Sequence, residues 1–108
     1  MQVIAQAGQP VPGSVPTYVE QFRVPDLSVG TYSIPVGGID DQEPHTEDEI
    51  YVVTAGRARL RTPDLTVDIG PGSVLFVPAG EEHRFVDVTE ALTLLVFFGP
   101  AEYARQNR

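Results

Sequence analysis

The chain has 108 residues, a formal net charge of −8 at pH 7 and no cysteine. This length predicts a single domain, and the acidic balance argues against nucleic acid or an anionic membrane as a partner, because both require a basic face. Without cysteine there are no disulfides and no thiolate metal ligands. The first residues do not form a basic region followed by a long apolar stretch, so we expect no signal peptide and a cytoplasmic location.

The predicted elements begin with a proline-rich extended arm over residues 1–16, and the main domain follows over residues 17–99. Glycine and proline, ten of each, divide that domain into short β-prone segments. Residues 39–48 are predicted to be a loop or an irregular strand, and residues 100–108 a tail with at most one turn of helix. Regular strands are predicted over residues 17–24, 27–34, 49–54, 57–61, 65–69, 73–77, 82–88 and 91–98. So many short strands predict an all-β barrel or sandwich of about eight or nine strands.

The chain has only two histidines, and both lie near carboxylates or tight turns. His45 lies in the acidic segment, and His83 follows a turn that contains proline and glycine. Side chains of an extended segment alternate between two faces, so Glu43 points the same way as His45, and Glu49 points the same way as Tyr51. This alternation permits a metal site in which two imidazoles meet one or two carboxylates.

The segment around His83 resembles the second conserved pattern of the cupin superfamily, G-x5-P-x-G-x2-H-x3-N. The matching residues are Gly72, Pro78, Gly80 and His83, and Asp87 stands where asparagine is usual. The resemblance implies a small single-domain β-barrel of the jelly-roll type, as in small bacterial members of that superfamily.

The acidic segment resembles the first cupin pattern, G-x5-H-x-H-x3,4-E-x6-G, less completely. Its second histidine, its glutamate and its closing glycine are present as His45, Glu49 and Gly56. The position of the first histidine holds Glu43, and Gly38 lies one position short of the expected spacing.

The resemblance implies a mononuclear metal centre of His45, Glu49 and His83, with Glu43 as a possible fourth ligand. In the alternative, Glu43 points to solvent and the metal has three protein ligands; Gln42 is a minor candidate for the fourth position. Imidazole and carboxylate donors favour Fe, Mn, Ni or Zn as the divalent cofactor.

Three classes of function remain open for such a centre with a small-molecule ligand. The first is a metal-dependent dioxygenase, because a His/carboxylate centre with open positions accommodates O2 and a small substrate together. The second is an isomerase or epimerase in which Glu43 or Tyr51 moves a proton as a catalytic group. The third is a non-catalytic barrel that binds a small molecule.

Other charged and apolar residues have structural interpretations. We expect Asp40, Asp41, Glu47 and Asp48 to be a solvated face, and the arginines of the strand at 57–61 to point outwards. Apolar residues occupy both faces of the segments at 50–53 and 92–98, so something besides one barrel interior must cover the second face. This pattern predicts a homodimer, to which the arm contributes.

Overall fold

The computed structural model describes residues 1–105, so the last three residues of the predicted tail lie outside it. Six strands form one antiparallel sheet in the order β1-β2-β6-β3-β4, and β5 pairs with β3. Their bounds are β1 Thr17–Val24, β2 Leu27–Ile34, β3 Asp48–Arg61, β4 Thr66–Ile69, β5 Val74–Val77 and β6 Arg84–Gly99. The all-β prediction is confirmed. Within the described residues no helix has the length and apolarity to cross a bilayer.

The predicted number of strands is wrong, because two long strands replace four short ones. β3 continues through Gly56, where the sequence indicated a strand end, and its register against β6 shifts at three places between Val53 and Arg59. Gly56 has a φ of 89°, and a Cβ there would lie 2.1 Å from the carbonyl oxygen of Ala91. A bulge bends a strand without ending it. Gly56 is therefore a point where β3 and β6 bend together.

The core lies between the inner faces of the sheet and follows the two-residue period of the strands. On β3, Tyr51, Val53, Ala58 and Leu60 are buried, whereas the three arginines of the same strand are exposed, as predicted. Cross-strand neighbours from β6 complete the core, which includes Phe85, Val88, Leu92, Leu94, Val96 and Phe98. These buried side chains form the apolar interior of the barrel.

The N-terminal arm lies on the outer face of its own sheet. The backbone N–H of Gly8 donates to the hydroxyl of Thr31, and that of Val11 donates to the hydroxyl of Ser33, each at 2.9 Å. The hydroxyl of Thr54 donates to the carbonyl oxygen of Gly8 at 3.0 Å. The arm therefore covers part of the second apolar face from within the chain.

A strip of exposed apolar side chains remains beside the region that the arm covers. Ile50 on β3 pairs with Phe76 on β5, and these residues are 40% and 62% exposed. Val74, on the same strand as Phe76, is 66% exposed. The homodimer stays a prediction, and this strip is the surface that we expect it to bury.

Candidate metal centre

Two neighbouring strands and one loop bring His45, Glu49 and His83 together. Glu49 lies near the start of β3 on its inner face, and His83 directly precedes β6, which pairs with β3. The turn before His83 is tied to the acidic segment, because the N–H of Gly80 donates to the carbonyl oxygen of His45 at 2.8 Å. The three side chains each place one potential ligand atom within 4.8 Å of the other two.

Two of the potential ligand atoms of this cluster lack hydrogen-bond partners among residues 1–105. Glu49 Oε1 lies 3.3 Å from His83 Nε2 and 3.8 Å from His45 Nδ1. Despite these separations, Glu49 Oε1 and His45 Nδ1 are both buried and take part in no hydrogen bond within the part of the chain that the structure describes. A buried carboxylate oxygen without a partner costs free energy, which a cation between these atoms would offset. The donor set therefore fits a metal ion.

A backbone hydrogen bond on the side away from Glu49 orients the imidazole of His83. Its Nδ1 donates to the carbonyl oxygen of Glu81 at 2.9 Å, which leaves Nε2 without a proton in the neutral ring and directed towards Glu49. Burial lowers the pKa of His83, but its contacts with Glu49 and with the Glu81 carbonyl outweigh burial and raise that pKa above its usual value. A hydrogen bond to the second ring nitrogen is the common support for a metal-binding histidine.

Tyr51 places its hydroxyl at the edge of the cluster. The oxygen lies 2.8 Å from His83 Nε2 and 3.3 Å from Gln42 Oε1. Burial, followed by the negative charge of Glu49, raises the pKa of Tyr51 well above its usual value. The hydroxyl therefore stays protonated at neutral pH and acts as a hydrogen-bond donor. The catalytic role predicted for Tyr51 stays a prediction.

Glu43 lies outside the cluster. It is exposed and is not among the three residues whose ligand atoms converge. This arrangement corresponds to the alternative with three protein ligands, and a role for Glu43 as a ligand or catalytic group stays a prediction. Gln42 is closer to the site, since it contacts Tyr51 and donates to Asp40 at 2.7 Å.

The expectation that the acidic segment is wholly solvated is wrong for two of its members. Asp40 is 3% exposed and accepts hydrogen bonds from the hydroxyl of Tyr32 and the N–H of Phe85, at 2.8 and 2.9 Å. Glu47 is 1% exposed and accepts from the N–H groups of Tyr103 and Arg105, at 2.6 and 2.9 Å. Asp41 and Asp48 are exposed as expected.

The pKa of Glu47 reflects this environment. Burial raises the pKa, but hydrogen bonds from the hydroxyl of Thr46 and from the two backbone amides outweigh it, so the pKa lies below its usual value. The two backbone donors lie far along the chain, and no local pattern in the sequence identifies them.

Two members of the cluster, His45 and Glu49, line a pocket of about 350 Å³. All four tyrosines of the chain line it, namely Tyr18, Tyr32, Tyr51 and Tyr103. Val96 and Phe98 from β6 also line it. The hydroxyl of Tyr18 is buried and has no hydrogen-bond partner among the described residues. Gly30 makes room for it, since a Cβ at that position would lie 2.1 Å from the hydroxyl oxygen. The pocket thus offers aromatic walls with polar groups at defined points.

Sequence reasoning missed Tyr18 and also Glu102, whose carboxylate lies at the same pocket. Glu102 Oε2 is 3.0 Å from His45 Nε2. Both residues lie outside the pattern matches that identified the cluster. Neither lies at a spacing from other potential ligands that is typical of metal sites.

Comparison with known proteins agrees with the fold and the motifs. Residues 30–98 match the family model described as a cupin domain. The chain belongs to the cupin family. A curated relative of this cupin, the uncharacterized protein SCO3923 of Streptomyces coelicolor, is 41% identical over 85 residues, which are 79% of this chain and 81% of that protein.

Solved cupin-like structures share the fold at low sequence identity. A protein of Klebsiella pneumoniae with a double-stranded beta-helix domain matches with a TM-score of 0.75 and 14% identity, over 93% of this chain and 89% of that chain. The DMSP lyase DddQ of Ruegeria pomeroyi matches with a TM-score of 0.72 and 22% identity. That match covers 78% of this cupin but only 46% of the lyase. At these identities the likeness shows the fold alone.

Proposed function

We propose that this cupin binds one divalent transition metal through His45, Glu49 and His83 and oxygenates a small organic molecule in the adjoining pocket. The observation that carries the proposal is the convergence of two imidazoles and one carboxylate, with His45 Nδ1 and Glu49 Oε1 buried and unpartnered. Two histidines and one carboxylate that leave open positions are typical of non-haem iron(II) oxygenases.

Different residues of the pocket have different roles in the proposed reaction. Iron(II) held by His45, Glu49 and His83 would supply the activation of O2, and a dioxygenation that adds both oxygen atoms to the substrate would require no external reductant. With His83 Nε2 bound to the metal, the hydroxyl of Tyr51 would lose its contact there and could donate to an oxygen atom of the substrate. Val96 and Phe98 form an apolar wall that limits the access of water.

The isomerase alternative is less well supported by the same geometry. Proton abstraction from carbon needs a base whose pKa lies near the working pH. The hydroxyl of Tyr51 already contacts His83 Nε2 and Gln42 Oε1, and Glu43 is exposed outside the cluster. Oxygenation needs neither residue as a base.

Metal content is the first test. Protein purified without chelators or an affinity tag should contain about one first-row transition metal per chain, and His83→Ala should remove it, because one of three ligands is lost. Full metal occupancy in that variant would reject the centre. Elemental mass spectrometry of acid-digested protein also distinguishes Fe from Mn, Ni and Zn.

The reaction class is tested on iron-loaded protein. O2 uptake with a panel of small phenols and keto acids should exceed that of Glu49→Gln at equal protein concentration. Deuterium from D2O appearing at carbon, without O2 uptake, would favour the isomerase. Tight binding of a panel compound by protein treated with a chelator, with neither signal, would favour the non-catalytic barrel.

A further inference from the structure

Residues 100–105, which we name the C-terminal cap, fold over the pocket and are anchored to β1 and β2. The N–H of Ala101 donates to the carbonyl oxygen of Pro25 at 3.2 Å, and the N–H of Glu102 donates to the hydroxyl of Ser28 at 2.9 Å. The guanidinium of Arg23 donates to the carbonyl oxygen of Glu102 at 2.6 Å. Three hydrogen bonds therefore hold the backbone on either side of the Glu102 side chain.

A second anchor holds the other end of the cap. The buried carboxylate of Glu47 accepts the N–H groups of Tyr103 and Arg105. Glu47 lies midway between His45 and Glu49, so the cap is tied to the segment that carries both ligands. Hydrogen bonds to an ionised group contribute more to stability than neutral ones.

The cap contacts His45 through two side chains. Glu102, which is 9% exposed, places Oε2 at 3.0 Å from His45 Nε2. The ring of Tyr103 stacks on the imidazole with ring centres 5.6 Å apart, and Phe98 lies on the imidazole with ring centres 4.7 Å apart. The imidazole is thus held by ring contacts and by one polar contact at Nε2.

The polar contact decides which nitrogen carries the proton. An ionised carboxylate only accepts hydrogen bonds, so the neutral imidazole of His45 must carry its proton on Nε2 to satisfy Glu102. Its Nδ1 then has a free lone pair, and this is the buried, unpartnered nitrogen 3.8 Å from Glu49 Oε1. His83 has the opposite arrangement, since its Nδ1 donates to a carbonyl oxygen.

We propose that Glu102 is a positioning residue that fixes the Nε2–H tautomer of His45, so that Nδ1 is the atom that coordinates the metal. The inference rests on the proposed metal centre but adds a residue that the cupin patterns do not contain. It assigns a function to the cap, which supplies the outer support of a ligand from beyond the barrel strands.

The tautomers are tested first on chelator-treated protein. Long-range ¹H–¹⁵N NMR at a pH where both imidazoles are neutral has only two rings to resolve. We expect one Nε2–H ring, assigned to His45 by its loss in His45→Gln, and one Nδ1–H ring for His83. An Nδ1–H ring at His45 would overturn the proposal whether or not metal binds.

Two variants then connect the tautomer to the metal. Glu102→Ala should mix the tautomers of His45 and weaken Zn²⁺ binding about 10–100-fold. Glu102→Gln should keep the Nε2–H tautomer of His45, because its amide oxygen still accepts from Nε2–H. Its Zn²⁺ affinity should stay within about threefold of the wild type. Loss of affinity in Glu102→Gln with an unchanged tautomer would instead make Glu102 a ligand, and that would refute the positioning role.

Failure of the metal centre is distinguishable from failure of this inference. If wild-type protein bound no Zn²⁺ but kept the Nε2–H tautomer of His45, the proposed function would be rejected. The effect of Glu102→Ala on the tautomer would still support or refute the contact between Glu102 and His45. His83, which does not touch the cap by hydrogen bonds in the described residues, serves as the internal control.

Discussion

The sharpest test of the centre compares the same chemical change at two glutamates. Glu49→Gln replaces a carboxylate that is 2% exposed and whose Oε1 has no protein partner. Because the carboxylate is buried, water would screen its interaction with a metal very little. We expect the loss of this charged ligand to weaken metal binding about 100-fold or more, which corresponds to about 2.8 kcal/mol.

Glu43→Gln is the matched control, because it removes the same charge from an exposed position outside the cluster. Water and salt screen exposed charges, so this substitution should change the affinity by less than about twofold. Competition against a chromophoric chelator for Zn²⁺ or Co²⁺ measures both constants, and circular dichroism checks that the barrel is intact. Equal affinities for the two variants would refute the three-residue site. A large loss in Glu43→Gln would restore the four-ligand alternative.

Two further predictions concern the barrel and its association. Gly56→Ala should lower the free energy of unfolding by at least about 2 kcal/mol more than Gly72→Ala: both glycines have φ near 90°, but only at Gly56 does a Cβ meet backbone. Similar urea midpoints for the two variants would contradict the bulge. Light scattering should report about twice the chain mass of 11.7 kDa, and Phe76→Ser should shift it towards the monomer. A wild-type monomer at micromolar concentration would remove the predicted dimer.

The three converging residues were predictable because two kinds of sequence signal agree on them. The two-residue period of a strand places Glu49 and Tyr51 on one face, and the cupin patterns identify His45, Glu49 and His83 by spacing. Both signals are local, and the pairing of β3 with β6 then brings the segments together. The meaning of a glycine for the strand bounds was ambiguous. Glycine ends a strand at other turns of this chain but lies at a bulge within β3 at Gly56.

The supporting carboxylates were not predictable, because their partners are remote backbone groups. Asp40 and Glu47 have the same sequence neighbourhood as the exposed Asp41 and Asp48. Burial of Asp40 depends on an N–H at position 85, and burial of Glu47 depends on N–H groups of the cap. A carboxylate is buried where the folded chain provides hydrogen-bond donors for it, and the local composition of the sequence does not show where those donors are.

The part of the chain that matches the cupin family and the part that shapes the pocket are not the same. The family match covers residues 30–98 and includes all three converging residues. Tyr18 on β1 and both Glu102 and Tyr103 of the cap lie outside that match, yet they line the pocket. Segments outside the shared barrel vary more readily than its ligands, because they do not hold the strands in register. The family barrel therefore contributes the three converging residues and most of the pocket, whereas β1 and the cap add Tyr18, Glu102 and Tyr103 to its lining.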